Sequence, residues 1–254
     1  MDYLLEGVKN AAGLIVSFDP EIFTIVGLSL FVSMLATFIS LAAGIPLGMG
    51  LGTHSFPGKG VLLRVIYTLM SMPPVIAGLF LFLIFMRRGP LGSLQLNYTV
   101  TAMIVAQICL VMPIIVGLTY NLVRDSAPTI LRLGVTLGGS RVSNFFLLVH
   151  DLRRGLAAAA VSGFGRAISE VGAVMIVGGN ITDKTRVMTT YIAALKSMGD
   201  YSRAIAVGII LLLISFLVNT FIYHVQQRGE DAETGSPNPK RRRARSGKSR
   251  ERAT

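Results

Sequence analysis

Residues 22–58 read IFTIVGLSLFVSMLATFISLAAGIPLGMGLGTHSFPG and contain no Asp, Glu, Lys or Arg. This stretch is longer than the roughly 20 apolar residues that cross a bilayer as an α-helix. Residues 65–86, 89–123 and 204–227 are also free of charged side chains. Hydrophobic residues form 52% of the chain and charged residues only 15%, whereas soluble domains carry about a quarter charged residues. The sequence therefore predicts a protein that is buried mainly in lipid.

Five membrane-spanning helices are predicted within residues 21–226, which form the membrane domain. They lie at about residues 22–50, 62–86, 99–123, 157–179 and 204–226. Apolar residues at helical spacing within residues 1–20 predict a short amphipathic helix on the membrane surface. Residues 227–254 are rich in basic residues, Gly, Ser and Pro, so we expect a disordered tail. The predicted fold class is an all-α membrane protein.

Basic residues predict how the chain is oriented. Five spans put the two termini on opposite sides of the membrane, and the cytoplasmic side carries more Lys and Arg. Nine of the 24 Lys and Arg lie between Arg228 and Arg252. We therefore expect the C-terminus in the cytoplasm, where the tail contacts anionic lipid, and the N-terminus outside. Nucleic-acid binding is not expected, because the tail has no interleaved aromatic residues.

Prolines are predicted to interrupt two of the spans, Pro73 and Pro74 in the second and Pro113 in the third. Proline removes a backbone donor and clashes with the preceding turn. In lipid, such breaks persist where a neighbouring helix or a watery cavity satisfies the freed carbonyls. Kinked helices suit a transporter, although membrane proteins that transport nothing also contain them. No metal site is expected, because the single Cys and the three His are far apart in the sequence.

The segment between the third and fourth spans differs from the rest. Residues 124–154 read RDSAPTILRLGVTLGGSRVSNFFLLVHDLRR. The segment is too polar to be a span, and an ordered loop of this length usually binds a partner. We expect two short helices here with a sharp turn at Gly138, since glycine adopts a positive φ without steric cost.

This loop resembles the cytoplasmic coupling loop of the membrane subunits of bacterial ABC importers. Residues 136–141 (TLGGSR) match the glycine-centred part of that loop, and residues 145–149 (FFLLV) match the apolar run after it. Residues 132–134 (RLG) depart from the acidic-Ala-Ala of the family, and His150-Asp151 replaces its Leu-Pro. The resemblance implies that six residues couple the chain to an ATPase: Arg132, Gly134, Leu137, Gly138, Gly139 and Ser140.

Other stretches extend the resemblance over about residues 22–226. Residues 72–78 (MPPVIAG) are similar to the P-P-V-x-x-G of the second span in the family. Residues 163–173 (GFGRAISEVGA) resemble the segment after the coupling loop in molybdate, tungstate and sulfate permeases. Residues 175–181 (MIVGGNI) and 185–190 (TRVMTT) look most like the tungstate branch.

The resemblance implies the type I ABC importer permease fold and the other parts of the transporter. These are a second copy of the chain as a homodimer, two cytoplasmic ABC ATPase subunits and an extracytoplasmic oxyanion-binding protein. ATP and Mg are expected on the ATPase, because this chain has no G-x-x-x-x-G-K-[ST] phosphate loop. No enzymatic activity and no cofactor are expected in the chain itself. The implied substrate is an oxyanion, with tungstate favoured and molybdate or sulfate as alternatives.

Two other classes of function remain open on the residues alone. An intramembrane enzyme needs Asp, Glu or His clustered at one membrane depth, but Glu170 is the only acidic residue in a predicted span. A self-contained channel gives no reason for the long polar loop. Both alternatives are therefore less favoured than an importer permease.

The candidate pathway residues lie in and after the fourth span. Arg166 and Glu170 are four residues apart and share a helix face. We favour an internal ion pair, and the alternative is that the Arg166 guanidinium meets a passing oxyanion. Ser169 either bonds to its own helix or lines the path. Gly178 and Asn180 are predicted to lie at the end of the helix, where a narrow external gate is a further expectation.

Overall fold

The computed structural model of the protein describes Val8, Lys9, Gly13, residues 20–136 and residues 138–234. All regular secondary structure in these residues is helical, which confirms the predicted all-α class. Most of the predicted surface helix at residues 1–20 lies outside the described residues. Residues 235–254 of the predicted tail also lie outside them, as does Leu137.

Nine α-helices and one short 3-10 helix make up the described part of the chain. The α-helices are α1 (Pro20–Thr53), α2 (Lys59–Met70), α3 (Pro74–Phe85), α4 (Val100–Thr136), α5 (Arg141–Asp151), α6 (Arg153–Ile168), α7 (Gly172–Gly178), α8 (Met188–Met198) and α9 (Tyr201–Thr234). The 3-10 helix is Gly92–Leu94.

Three of these helices are long and apolar enough to cross a membrane. They are α1, the Val100–Pro128 part of α4 and the Tyr201–Thr220 part of α9. The predicted second and fourth spans are each broken into two helices: α2 and α3 meet at 102°, and α6 and α7 meet at 54°. If each bent pair is one span, the count is the predicted five.

Of the two helix breaks predicted at prolines, the structure contains one. The helix breaks at Pro73 and Pro74 as expected, because α2 ends at Met70 and α3 begins at Pro74. The predicted interruption at Pro113 is wrong, since α4 continues through it. The residues around Pro113 are tightly packed, with Val111 and Ile115 fully buried. Tertiary packing therefore holds the helix together across the hydrogen bond that proline removes.

The predicted coupling loop also has a different shape. The first of its two expected short helices is the end of α4, which extends from the membrane span to Thr136 without a break. The predicted span ended at residue 123 because the residues after it are polar. Outside lipid, however, polar residues can continue a helix that has already formed. The turn then comes at Gly138, which has the expected positive φ of +73°, and α5 follows it.

A row of glycines brings α1 close to α4. A Cβ added at Gly44 would lie 2.9 Å from Ile115 Cγ2, and one added at Gly48 would lie 2.6 Å from Thr119 Cβ. The contacts advance together along both helices, so α1 and α4 are parallel. Small residues at such spacing are typical of close helix packing in membranes, where the backbones must approach each other.

The last helix extends beyond its predicted end. Residues 227–234, which the sequence assigned to the disordered tail, are the final turns of α9. Contacts divide the chain after Leu217 into two compact units. The regions described below belong to the first unit.

Candidate pathway and coupling regions

The break between α6 and α7 contains the predicted pathway residues. Ser169 follows the last residue of α6, and its Oγ donates to Gly165 O at 2.8 Å. This geometry agrees with the reading in which Ser169 bonds to its own helix, although its side chain is also exposed.

Glu170 lies inside the break and is nearly inaccessible. Its side chain is 4% exposed, and its Oε1 accepts a hydrogen bond from Ala173 N at 3.0 Å. Its Oε2 lies 3.9 Å from Nη2 of Arg166, whose side chain is 35% exposed. The two residues therefore share a face as predicted, but the pair is asymmetric. The carboxylate is fixed by the backbone, whereas the guanidinium extends toward the surface.

Side chains from two other helices satisfy the backbone at this break. Gln107 of α4 donates from Nε2 to Ala167 O at 3.1 Å, and Thr189 of α8 donates from Oγ1 to Glu170 O at 2.8 Å. A helix break in a membrane is stable only when such freed carbonyls find partners. Neither Gln107 nor Thr189 was among the predicted site residues. The signal for Gln107 was present, because an amide within an otherwise apolar span is uncommon.

The same buried region ties α8 to α1. Met188 N donates to Ser29 Oγ at 2.8 Å. Among the described residues, Gln107 Oε1 has no hydrogen-bond partner although it is buried. The region between α1, α4, the α6–α7 break and α8 is thus the polar interior of an otherwise apolar fold.

The end of α7 matches the predicted helix end. α7 stops at Gly178, and Gly179 follows with a φ of +72°. Gly178 O accepts a hydrogen bond from Thr185 Oγ1 at 2.5 Å. Asn180 also has a positive φ, of 51°. Tyr98, which the sequence analysis did not identify, covers this end: its backbone N donates to Val177 O at 2.7 Å, and its ring lies against Gly179.

An ion pair connects the loop after α7 to the start of α1. Arg186 Nη1 lies 3.4 Å from Glu21 Oε1, and the guanidinium lies 5.1 Å from the centre of the Tyr191 ring. Burial raises the pKa of the Tyr191 hydroxyl above its ordinary value. These contacts fix the loop of residues 179–187 at this end of the helices.

The turn at Gly138 presents α5 at the opposite end of α4. Ser140 Oγ accepts a hydrogen bond from Ser143 N at 3.2 Å, which caps the first turn of α5. A Cβ added at Gly138 would meet no atom within 4 Å, so the turn is open. Gly139 O accepts a longer bond from Asn144 Nδ2, at 3.4 Å. Arg132 and Gly134 lie in the last turns of α4.

Helix α5 has apolar side chains on two sides. Leu148 is buried against Met49 and Val123, which anchors α5 to the ends of α1 and α4. Phe146 and Val142 are exposed. Beside α5, a cavity of about 550 Å³ lies against the end of α1, with Asn144 on one side. An exposed apolar face beside a groove is typical of a protein-binding surface.

Comparison with known proteins identifies the family. The model of a protein family described as "binding-protein-dependent transport system inner membrane component" matches residues 44–230. The tungstate uptake system permease protein TupB of Peptoclostridium acidaminophilum is 51% identical over 89% of this chain and 100% of its own length. TupB of Campylobacter jejuni subsp. jejuni serotype O:2 is 33% identical over 90% of this chain and 95% of its own length. The molybdenum transport system permease protein ModB of Azotobacter vinelandii is 28% identical over 77% of this chain and 90% of its own length.

These matches confirm the resemblance that the coupling loop and the flanking stretches carried. They also identify a subunit of a transport system and not an enzyme. The chain belongs to the family of binding-protein-dependent transport system inner membrane components, the membrane permeases of ABC importers.

Proposed function

We propose that this chain is the permease subunit of an ABC importer that moves tungstate into the cytoplasm, driven by ATP hydrolysed on a separate subunit. The observation that carries this substrate is the 51% identity to a tungstate uptake permease over that relative's full length. Molybdate is the second candidate substrate, because the permease named for molybdenum transport is 28% identical.

The family implies an ATPase and a substrate-binding protein as partners. The finer assembly that we propose has two copies of this chain, two ATPase subunits and one extracytoplasmic oxyanion-binding protein. In this assembly, α5 and the Gly138 turn face the cytoplasm, and the loop of residues 179–187 faces outward. The basic residues after Arg228 support this orientation, because the cytoplasmic side favours Lys and Arg.

Reporter fusions test the orientation. A reporter that folds only in the cytoplasm is expected to give a signal after Thr254 and none near Gly89. The opposite pattern would refute the proposed orientation.

Uptake measurements test the substrate. Deleting the gene for this chain is expected to lower cellular tungsten at nanomolar supply and to leave phosphate uptake intact. If tungsten stays constant while molybdenum or sulfate uptake falls, the substrate is wrong although the family assignment stands.

We further propose that α5 transmits the ATPase cycle to the membrane helices. The exposed apolar side chains of Val142 and Phe146 support this role, as does the capped turn before α5. Gly138 is the sharpest test, because its φ of +73° is unfavourable for any β-branched side chain.

Gly138→Val is expected to strain this turn by about 1–3 kcal/mol. The chain should still insert, because the substitution touches no span. Uptake should collapse, and ATP hydrolysis should no longer respond to the loaded binding protein. Ser143→Ala, an exposed change in α5, serves as the control and should be nearly silent. Normal uptake by the Gly138→Val protein would show that this turn is not the coupling element.

A further inference from the structure

The exposed faces of α1, α3 and α9 are apolar, as lipid contact requires, whereas α4 exposes no large hydrophobic side chain among those that the structure describes. Phe38 on α1, Phe80 on α3 and Phe216 on α9 are all exposed, with Phe80 at 62%. α6 also differs from these three helices. It is described from Arg153 to Ile168, and no large hydrophobic side chain is exposed within it.

The exposed side of α6 is small and polar instead. Ala158, Ser162, Arg166 and Ser169, just after the helix, recur at intervals of four, four and three residues and so lie on one face. An ionisable side chain in a membrane-embedded helix is costly against lipid, and such groups normally face protein or water. This face therefore does not meet lipid.

A groove continues this face toward the Gly138 turn. A cavity of about 360 Å³ lies between α4 and α6, and its lining includes the side chains of Asn121, Ser126 and Ser162. The other lining residues include Leu118, Leu122 and the carboxylate of Asp125, so the walls are mixed and only part of them is polar.

The geometry leaves the Arg166 guanidinium available as a donor on this face. Among the side chains that the structure describes, Glu170 is the only acidic group within 4.0 Å of Arg166, and at 3.9 Å no hydrogen bond joins them. The hydroxyls of Ser162 and Ser169 donate to carbonyls of α6 itself. Arg166 is thus the side chain best placed to donate to an anion.

We propose that the α6 face of Ala158, Ser162, Arg166 and Ser169 lines the route of the oxyanion and that Arg166 contacts the anion as it passes. This inference rests on the proposed importer function. The planar guanidinium donates to tetrahedral oxyanions in bidentate fashion. The Glu170 carboxylate repels the same anion from behind Arg166, so the contact is brief and the anion is released.

Cysteine labelling tests whether the face is aqueous. The chain has one cysteine, so Cys109→Ser gives a clean background. Ser162→Cys is the test position and Phe80→Cys is the lipid-facing control. The positive control is Met198→Cys, at the end of α8 between the charged Lys196 and Asp200. A charged, membrane-impermeant thiosulfonate is added to both sides of vesicles that hold the complete transporter, and mass spectrometry measures the labelled fraction.

Labelling is expected for Ser162→Cys and Met198→Cys and not for Phe80→Cys. An unreactive Ser162→Cys beside a reactive Met198→Cys would overturn the proposal, because the face would then be packed against a second copy or against lipid. Equal labelling of Phe80→Cys would also overturn it, since α6 would no longer differ from the apolar faces.

Substitution of Arg166 tests the contact itself in the reconstituted transporter. Arg166→Gln is expected to lower the rate of tungstate transport about tenfold or more, because the anion loses one charge-assisted hydrogen bond as it passes. ATP hydrolysis stimulated by the loaded binding protein should persist, because the assembly is intact. Arg166→Lys keeps the charge and should recover part of the transport. Arg203→Gln, which removes an exposed arginine elsewhere, should transport at the wild-type rate.

Wild-type transport by Arg166→Gln would overturn the contact. Arg166→Gln also leaves the buried Glu170 carboxylate without its charge partner, so some loss of thermal stability is expected. A loss of transport with an equal loss of stimulated hydrolysis would overturn the contact, because that pattern is structural. The wild-type transporter tests the proposed function separately. If it moves no tungstate, the substrate is wrong, whereas the labelling of Ser162→Cys involves no substrate and still decides the nature of the face.

Discussion

The α2–α3 pair turns by 102° at residues 71–73, whereas the α6–α7 pair turns by 54° at residues 169–171. The first turn has Pro73 and Pro74 at the start of α3. The second has no proline, and it is held by Glu170 and by side chains from α4 and α8. The first break is therefore encoded by adjacent prolines, whereas the second combines a local cap from Glu170 with hydrogen bonds from distant side chains.

The two breaks also meet. A Cβ added at Gly78 of α3 would lie 2.6 Å from Ala173 Cα of α7, and one added at Gly172 would lie 2.8 Å from Val75 Cγ2. The short helices α3 and α7 therefore pack backbone to backbone. A change at either break is expected to reach the other through this contact.

The largest effect is expected from Glu170→Leu. The substitution removes the acceptor of Ala173 N and the charge that faces Arg166, and breaking a buried pair from one side costs about 3–5 kcal/mol. A cost of about 5 kcal/mol applies when both partners of the pair are fully buried. Because the Arg166 side chain is 35% exposed, we expect a cost of about 3 kcal/mol. Thermal unfolding of the purified chain in detergent measures the loss.

Two companion variants sharpen this result. Glu170→Gln keeps an oxygen for Ala173 N and should be milder. Replacing both Arg166 and Glu170 by Leu should recover much of the expression, because no unpaired charge stays behind. A double variant less stable than Glu170→Leu alone would contradict the ion-pair part of this account. A double variant that folds but does not transport favours the route along α6.

The next largest loss of stability is expected from Gly78→Val. Its side chain would meet backbone of α7 and not a flexible side chain, and overpacking of this kind costs about 1–3 kcal/mol. The midpoint of thermal unfolding should fall. Gly208→Val in α9, where an added Cβ meets nothing within 4 Å, is the matched control. Equal midpoints for the two variants would show that α3 and α7 are not in close contact.

Thr189→Val is expected to cost about 1–2 kcal/mol, because it leaves Glu170 O without its hydroxyl donor while keeping the shape of the side chain. Thermal unfolding again provides the measurement. The exposed Thr24, whose hydroxyl bonds within its own helix, offers a control as Thr24→Val. A Thr189→Val chain as stable as this control would mean that the second break does not depend on α8.

The smallest effect is expected for Pro73→Ala. Pro74 still disfavours a helical conformation at residue 73, so the bend should persist. The loss of one rigid residue from the turn costs about 0.4–1 kcal/mol. A distance between spin labels on α2 and α3 checks the angle. A clear lengthening toward a straight helix would show that Pro73 alone sets the first break.

The difference between features set by neighbouring residues and features set by distant ones explains what the sequence could predict. The charge-free stretches, the break at Pro73 and Pro74 and the turn at Gly138 were predictable, because each follows from the chemistry of neighbouring residues. The roles of Gln107 and Thr189 were not, since their partners are 60 and 19 residues away. The continuous helix through Pro113 was also missed, because its stability comes from packing between helices. The asymmetry of the Arg166–Glu170 pair needed the positions of backbone atoms.

Helix α4 extends for 37 residues, which corresponds to about 55 Å, and the hydrocarbon core of a bilayer is only about 30 Å thick. α4 therefore extends beyond the hydrocarbon core, and the part that follows its close contact with Gly44 and Gly48 of α1 leads without a break toward the Gly138 turn. We expect a displacement of α5 to be transmitted along this unbroken helix into the membrane. Pro113 is held by the tight packing around it, so we expect α4 to flex at the exposed Pro128, which also lacks a backbone hydrogen bond.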